Sequence, residues 1–227
     1  MFRIFEKSRC GVLLLGVALL LPLAVKAQWR LGVTGGADYN VFKMDKQYMT
    51  DFQINGRWGA TAGISGQYVI NDWLALRADL NWTQKNYRKH RVVLSQIDYR
   101  YQNNYLQLPI MASFSTGGER LRGFCNLGIY AGYWLTSWRE GSDNNIFSGF
   151  NMPFSEKLVF NAESDQRFDF GLAGGIGLEY RIASHWAAQA EIRCYYSTVS
   201  TVRQYMRVKD YRYNTTISAQ LGIYYIF

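Results

Sequence analysis

Apolar and polar side chains alternate with a period of two along most of this chain. At that spacing, successive residues of a strand point to opposite faces. Over Trp73–Lys85, Leu74, Leu76, Ala78, Leu80 and Trp82 share one face, and Ala75, Arg77, Asp79, Asn81 and Thr83 the other. Over Phe168–Arg181, Phe170, Leu172, Ile176, Leu178 and Tyr180 lie opposite Asp169, Gly171, Ala173, Gly175, Gly177 and Glu179. The closing segment Asn214–Phe227 sets Ile217, Ala219, Leu221, Ile223, Tyr225 and Phe227 against Thr216, Ser218, Gln220, Gly222 and Tyr224. Trp29–Asn40, Trp58–Ile70, Tyr105–Ser115, Leu121–Thr136 and Trp186–Ser197 read the same way. The pattern predicts eight strands of roughly ten to fourteen residues, long for a soluble sheet and suited to a tilted membrane crossing.

The links carry a second signal. Ile70-Asn71-Asp72, Thr116–Arg120 and Ile182–His185 are short and turn-like, whereas Val41–Arg57, Asn86–Asn104, Ser137–Arg167 and Thr198–Arg212 are long and polar. Strict alternation of short and long links is the signature of an up-and-down barrel with tight turns at one end and large loops at the other. An even strand count puts both termini at the tight-turn end. Ser137–Arg167, the longest link, either folds over the mouth or forms a surface loop.

Which face is apolar decides between a soluble and a membrane barrel. A membrane barrel turns its apolar residues outward, because lipid supplies no hydrogen bonds and charge facing it is costly. The polar faces hold Arg77, Asp79, Glu179, Glu191 and Arg193 mid-strand beside many small residues, Gly59, Gly63, Gly171, Gly175 and Gly177 among them. That suits a crowded interior better than a water-facing exterior, which would be denser in Lys and Glu. Trp29, Trp58, Trp73, Trp82, Trp134, Trp138 and Trp186 fall at or near strand ends, the aromatic girdle expected at a bilayer interface. The fold expected is therefore all-β: an eight-stranded antiparallel up-and-down transmembrane β-barrel. Pro109 lacks a ladder donor and a closed barrel has no edge to hold it, so a bulge or bent pairing is expected there.

Composition sharpens the picture at the N-terminus. Arg3, Lys7 and Arg9 precede an apolar run, Val12–Leu23, and Val25-Lys26-Ala27 offers a cleavage site before Gln28. Residues 1–27 read as a signal peptide and 28–227 as the barrel domain. The run is short for a spanning helix, and Cys10 precedes it, which is not a lipoprotein arrangement. Cleavage removes four of the 25 cations and one of the 17 anions, lowering the formal charge from +8 to +5. Cys125 and Cys194 then remain. Both face lipid by parity with one strand between them, too far apart for a disulfide, so two free thiols are expected. Two His and three Cys in all leave no basis for a metal cage, and no cofactor is implied.

Tyr105-Leu106-Gln107-Leu108-Pro109-Ile110 and Asp169-Phe170-Gly171-Leu172-Ala173-Gly174-Gly175-Ile176-Gly177-Leu178-Glu179-Tyr180 resemble two strands of the PorT-like outer-membrane β-barrel family of the Bacteroidota. The terminal Phe227 resembles the C-terminal signal that such barrels present to their assembly machinery. The resemblance runs over Gln28–Phe227. It implies an eight-stranded barrel in the outer membrane of a Gram-negative bacterium and says little of activity, although the name-giving member serves a secretion system.

Three sets of residues are candidates for function. Arg77, Asp79, Glu179, Glu191 and Arg193 either line an ion path or neutralise one another in a filled lumen; the narrowness of an eight-stranded barrel favours the filled lumen. Arg88, Lys89, His90, Arg91, Tyr99, Arg100 and Tyr101 in one expected loop, and Arg203, Tyr205, Arg207, Lys209, Tyr211, Arg212 and Tyr213 in another, offer Arg forks and aromatic rings to anionic surfaces. Lipopolysaccharide, a surface glycan and a protein partner are all candidates, and nucleic acid is not expected despite a pI of about 9.4. His90, Ser95 and Asp98 are too weak a set for an enzyme, since proximity in a loop does not establish a triad. His185, at the other end, cannot join them. The role expected is a structural or binding platform at the cell surface, with a narrow porin-like channel for small polar solutes as the alternative.

Overall fold

The computed structural model describes residues 28–44, 52–91, 98–144, 151–203 and 211–227. Its strands are β1 (Gln28–Met44), β2 (Phe52–Val69), β3 (Leu74–Gln84), β4 (Tyr87–Arg91), β5 (Asp98–Gly117), β6 (Leu121–Asn144), β7 (Asn151–Lys157), β8 (Phe168–Ala183), β9 (Trp186–Ser197) and β10 (Arg212–Ile226). All pairings are antiparallel. β1 pairs with β2 on one side and β10 on the other, so the sheet closes on itself. The wall runs β1-β2-β3-β5-β6-β8-β9-β10, a ring of eight strands. β4 continues β3 after a break at Lys85-Asn86, keeping β2 and β5 as neighbours. There the Asn86 side chain patches the ladder, donating to Trp58 O (3.0 Å) and accepting from Asn103 N (3.2 Å). β7 is the return arm of a hairpin on β6. The segment read as a signal peptide lies outside the described residues.

Both faces follow the alternation. Leu76, Leu80, Leu172, Ile192 and Ile223 are exposed on the outside, Leu172 by 57% and Ile223 by 52%. Their neighbours Arg77, Asp79, Ala173, Arg193 and Tyr224 are buried in the lumen. An apolar exterior around a polar interior inverts a water-soluble protein, and a bilayer is the solvent in which it is stable. Trp29, Trp58, Trp73, Trp82, Trp186 and Phe227 are all exposed. Trp29, Trp73, Trp186 and Phe227 ring the tight-turn end, while Trp58, packed on Tyr39, and Trp82 mark the other rim.

The tight turns sit where expected. At the first, Asn71 Oδ1 accepts from the backbone of Trp73 (3.2 Å) and Leu74 (2.8 Å). At the second, Gly117 takes φ +137°, a conformation that side chains disfavour. Phe227 N donates to Trp29 O at this same end.

Three expectations are corrected. First, three of the four links at the far end are strand over much of their described length. β5 and β6 run to 20 and 24 residues, about twice the ~9–11 that cross a bilayer, and with β4 and β7 they build a collar beyond the girdle. These stretches lack a lipid-facing apolar stripe and so read as polar loops. Second, the disturbed pairing expected at Pro109 is present on one side only and without a bulge. Pro109 pairs in register with Tyr130, and the ladder to β3 lapses only between Ala78↔Ile110 and Asn81↔Gln107 without changing register. The missing donor is absorbed by a gap. The register shift lies at Asn104/Tyr105, opposite Trp134 and Thr136. Third, Trp134 continues the inward series of Asn126 and Tyr130 on β6, stacked on Tyr105 (5.6 Å) and edge-on to Phe160 (4.8 Å). It does not belong to the girdle. Cys125 on β6 and Cys194 on β9 are free, with β8 between them.

Candidate functional site

The lumen is organised in tiers, each closed by side chains that reach across the barrel. Nearest the tight turns, Arg30 on β1 donates to both oxygens of Glu179 on β8 (3.0 and 2.9 Å). Gln189 joins them at 2.7 Å and itself accepts from Gln67 (3.3 Å). Above lies the central tier. Arg77 Nε donates to Asp79 (2.9 Å) and its Nη1 to Glu191 (3.0 Å). Arg193 closes the ring, giving Nη1 to Asp79 (2.8 Å) and Nη2 to Glu191 (2.7 Å). Asn126 and Tyr195 complete the shell at 2.8 and 2.9 Å. Arg77 and Arg193 are 1% and 0% exposed.

Alternation on β3 and β9 makes this square of charge. Arg77 and Asp79, like Glu191 and Arg193, are two residues apart and so lie on one face, close enough to bind each other as well as the opposite wall. Gly175 leaves room for Glu191, whose Oε1 would stand 2.5 Å from a β-carbon there.

A third tier was not anticipated. Lys85 Nζ contacts Asp169 at 2.5 Å and lies 4.9 and 5.0 Å from the ring centres of Tyr105 and Tyr130. Ser197 and Tyr130 both donate to Asp169, at 2.5 and 3.3 Å. Beside it, Thr83 donates to the buried Asp38, whose Oδ1 has no partner. Lys85 stood at an expected strand end and Asp169 84 residues away; parity alone could have placed both inside. Over this tier Phe42, Tyr87 and Tyr101 stack in sequence, with centroids 4.3 and 4.5 Å apart, and with Trp134 they cap the lumen. A separate cavity of about 20 Å³ lies by Arg30, Gln67, Arg122 and Glu179 at the tight-turn end.

Arg88, Lys89 and Arg91, expected in a loop, lie on β4, and Arg212 begins β10. Register sets Lys89 opposite Tyr99 and Arg91 opposite Phe52 on the inner wall of the collar. Arg88 faces outward and donates to Asp98 at 2.7 Å, with Arg100 3.8 Å from the same carboxylate. That bond raises the Arg88 pKa. His90 pairs with Asp98 across the ladder, its Nδ1 buried without a hydrogen-bond partner, while Arg88 holds one oxygen of that carboxylate. His185 stacks on Tyr225 at the opposite end. Arg203 follows the isolated bridge between Asp165 and Val202, whereas Ser95, Tyr205, Arg207 and Lys209 lie outside the described residues. Among the described residues no group of three or more His, Cys, Asp or Glu is arranged to hold a metal.

Two solved structures share this architecture. Neisserial surface protein A is 13% identical, with 89% of this chain and 99% of that chain covered at a TM-score of 0.51. The outer membrane protease OmpT of Escherichia coli is 9% identical, with 88% and 97% covered at 0.52. Identities this low speak for the fold alone. No curated protein matches the chain. The family described as the outer membrane protein beta-barrel domain matches residues 11–227, and the chain belongs to that family.

Proposed function

We propose that this member of the outer-membrane β-barrel family is a non-conducting structural and binding platform at the cell surface. The observation that carries the reading is the lumen: across the central tier every charged group meets an opposite charge within 3.0 Å, and aromatic rings cap it. A barrel so filled offers no continuous aqueous path, and its function falls to the collar. Residues 1–27 act as the export signal, both termini face the periplasm, and β10 with its terminal Phe227 is presented to the barrel assembly machinery. Lipid and lipopolysaccharide surround the wall, and a surface glycan or protein is the partner. No enzymatic step and no cofactor are assigned. The finer kinship, with PorT-like barrels of the Bacteroidota, rests on the two strand motifs given above, and with it goes an accessory place in a secretion system.

Purified protein in planar bilayers tests the closed lumen. The expected trace stays at baseline; stable, repeated openings would favour the narrow channel instead. One observation supports that second reading. Asn81 and Gln107, each 1% exposed, keep both their amide oxygen and nitrogen without a protein partner. Such groups call for water, and a hydrated layer at their level is where a path would start.

A further inference from the structure

The collar's inner wall is richer in stacked rings than the lumen below it. Within the membrane the inner wall mixes polar side chains such as Asp79 and Gln107 with single rings, Tyr130, Tyr195 and Tyr224 among them. Beyond the girdle the same inward positions carry aromatic rings. Tyr101 and Tyr99 continue the inward series of β5, and Tyr87 that of β3 and β4. On β6 the extra residue at Leu135 shifts the phase, so that Ser137 and Arg139 point inward where Asn126 and Tyr130 did before. Outside the bilayer water drives such rings together on the concave face, where they shield one another.

That concave wall also carries positive charge. Lys89 Nζ lies 4.1 Å and the Arg91 guanidinium 4.8 Å from the Phe52 ring centre. Arg139 sits 5.5 Å from Tyr99 and 5.1 Å from Phe154, and donates to Glu156 at 2.9 Å. Arg212 enters the same face opposite Met44. Phe52, Lys89, Arg91, Tyr99, Arg139 and Phe154 are all half-buried, reachable from outside yet partly withdrawn from water, a setting that strengthens bonds to an anion. The cations of the outer wall are more exposed. There Arg88 and Arg100 stand around the shared Asp98 carboxylate, with Glu140 beside Arg100 along a groove of about 460 Å³.

We infer that the inner wall of the collar, and not its outer rim, is the ligand site, and that its ligand is an anionic glycan chain. The inference rests on the platform reading above and names the site and substrate class for it. Guanidinium and ammonium groups take the carboxylates or sulfates of such a chain. The interleaved rings take the apolar C–H faces of its sugars, and the Phe42–Tyr87–Tyr101 stack forms a floor that keeps the chain out of the lumen.

The test uses the full mature chain in lipid nanodiscs, with fluorescent dextran sulfate as probe and neutral dextran of equal length and inorganic polyphosphate as controls. The inner double variant Lys89→Gln/Arg91→Gln is expected to bind dextran sulfate about tenfold more weakly, and Arg139→Gln alone to weaken it as well. The outer double variant Arg88→Gln/Arg100→Gln is expected to stay within about twofold of the parent. Heat-modified gel mobility confirms that each variant is folded. Loss of binding in the outer pair with none in the inner variants would overturn the site, and polyphosphate binding as tightly as dextran sulfate would overturn the glycan. Absence of any anionic binding by the parent protein would instead sink the platform reading itself.

Discussion

Arg193 shows most plainly what single residues do here. It is fully buried and binds Asp79, Glu191 and Tyr195 at once. Replacing it with alanine leaves two carboxylates facing Arg77 alone. Breaking a buried ion pair from one side costs about 3–5 kcal/mol, so Arg193→Ala is expected to lose stability of that order in urea unfolding of the refolded barrel. Arg193→Lys keeps the charge but not the fork that spans both carboxylates, and is expected to fall between the two. The same network shows what the sequence made legible at this scale. Parity on β3, β8 and β9 put Arg77, Asp79, Glu179, Glu191 and Arg193 inside. It could not pair them, because contacts such as Arg30–Glu179 join residues 149 positions apart and depend on barrel register. The Lys85–Asp169 pair was missed for a related reason: parity put Asp169 on the polar face, but Lys85 sat at a strand edge and its partner lies 84 residues away.

At the scale of the strand, alternation located all eight walls and both faces, as Phe168–Arg181 shows residue for residue. Length was the failure. A lipid-facing stripe marks only the part of a strand inside the bilayer, so β5 and β6 were cut short where their outward residues turn from Leu106 and Leu108 to Gln102 and Arg100. Substitution reads out the same boundary. Leu172→Lys puts a charge on the outer face at mid-barrel and is expected to cost about 2–4 kcal/mol. Gln102→Lys, on the outer face of the collar, is expected to change stability by less than about 0.5 kcal/mol. Equal costs at the two positions would remove the boundary between membrane wall and collar. Pro109 carries a smaller lesson: a proline in a closed wall cost only a lapse in one ladder, since its register with β6 holds throughout. Pro109→Ala is therefore expected to shift the urea midpoint little in either direction.

For the whole molecule, the even number of strands and the clustering of the chain ends with the tight turns give the barrel two unlike ends. An epitope inserted near Val159, which is 93% exposed, is expected to be stained on intact cells. The same epitope at Gly118 in the second tight turn is expected to be stained only after the outer membrane is permeabilised. Staining in the reverse order would invert the molecule in its membrane and take the collar away from the cell surface. The two ends also differ in chemistry: ion pairs fill the lumen within the bilayer, and aromatic rings and cations line the collar.

The orientation of side chains underlies each of these statements, and a nitroxide scan along β6 from Cys125 to Ser142 reads it directly, in protein whose native cysteines are replaced by alanine. Collisions with lipid-dissolved oxygen are expected to peak at Leu127, Ile129 and Ala131, with minima at Asn126, Gly128 and Tyr130. Past Leu135 the phase is expected to change, Trp138 and Glu140 becoming the accessible positions, and water-soluble reagents replacing oxygen as the effective collider by Glu140. High oxygen collision rates at Asn126 and Tyr130, or an unbroken odd-numbered phase through Gly141, would contradict the account.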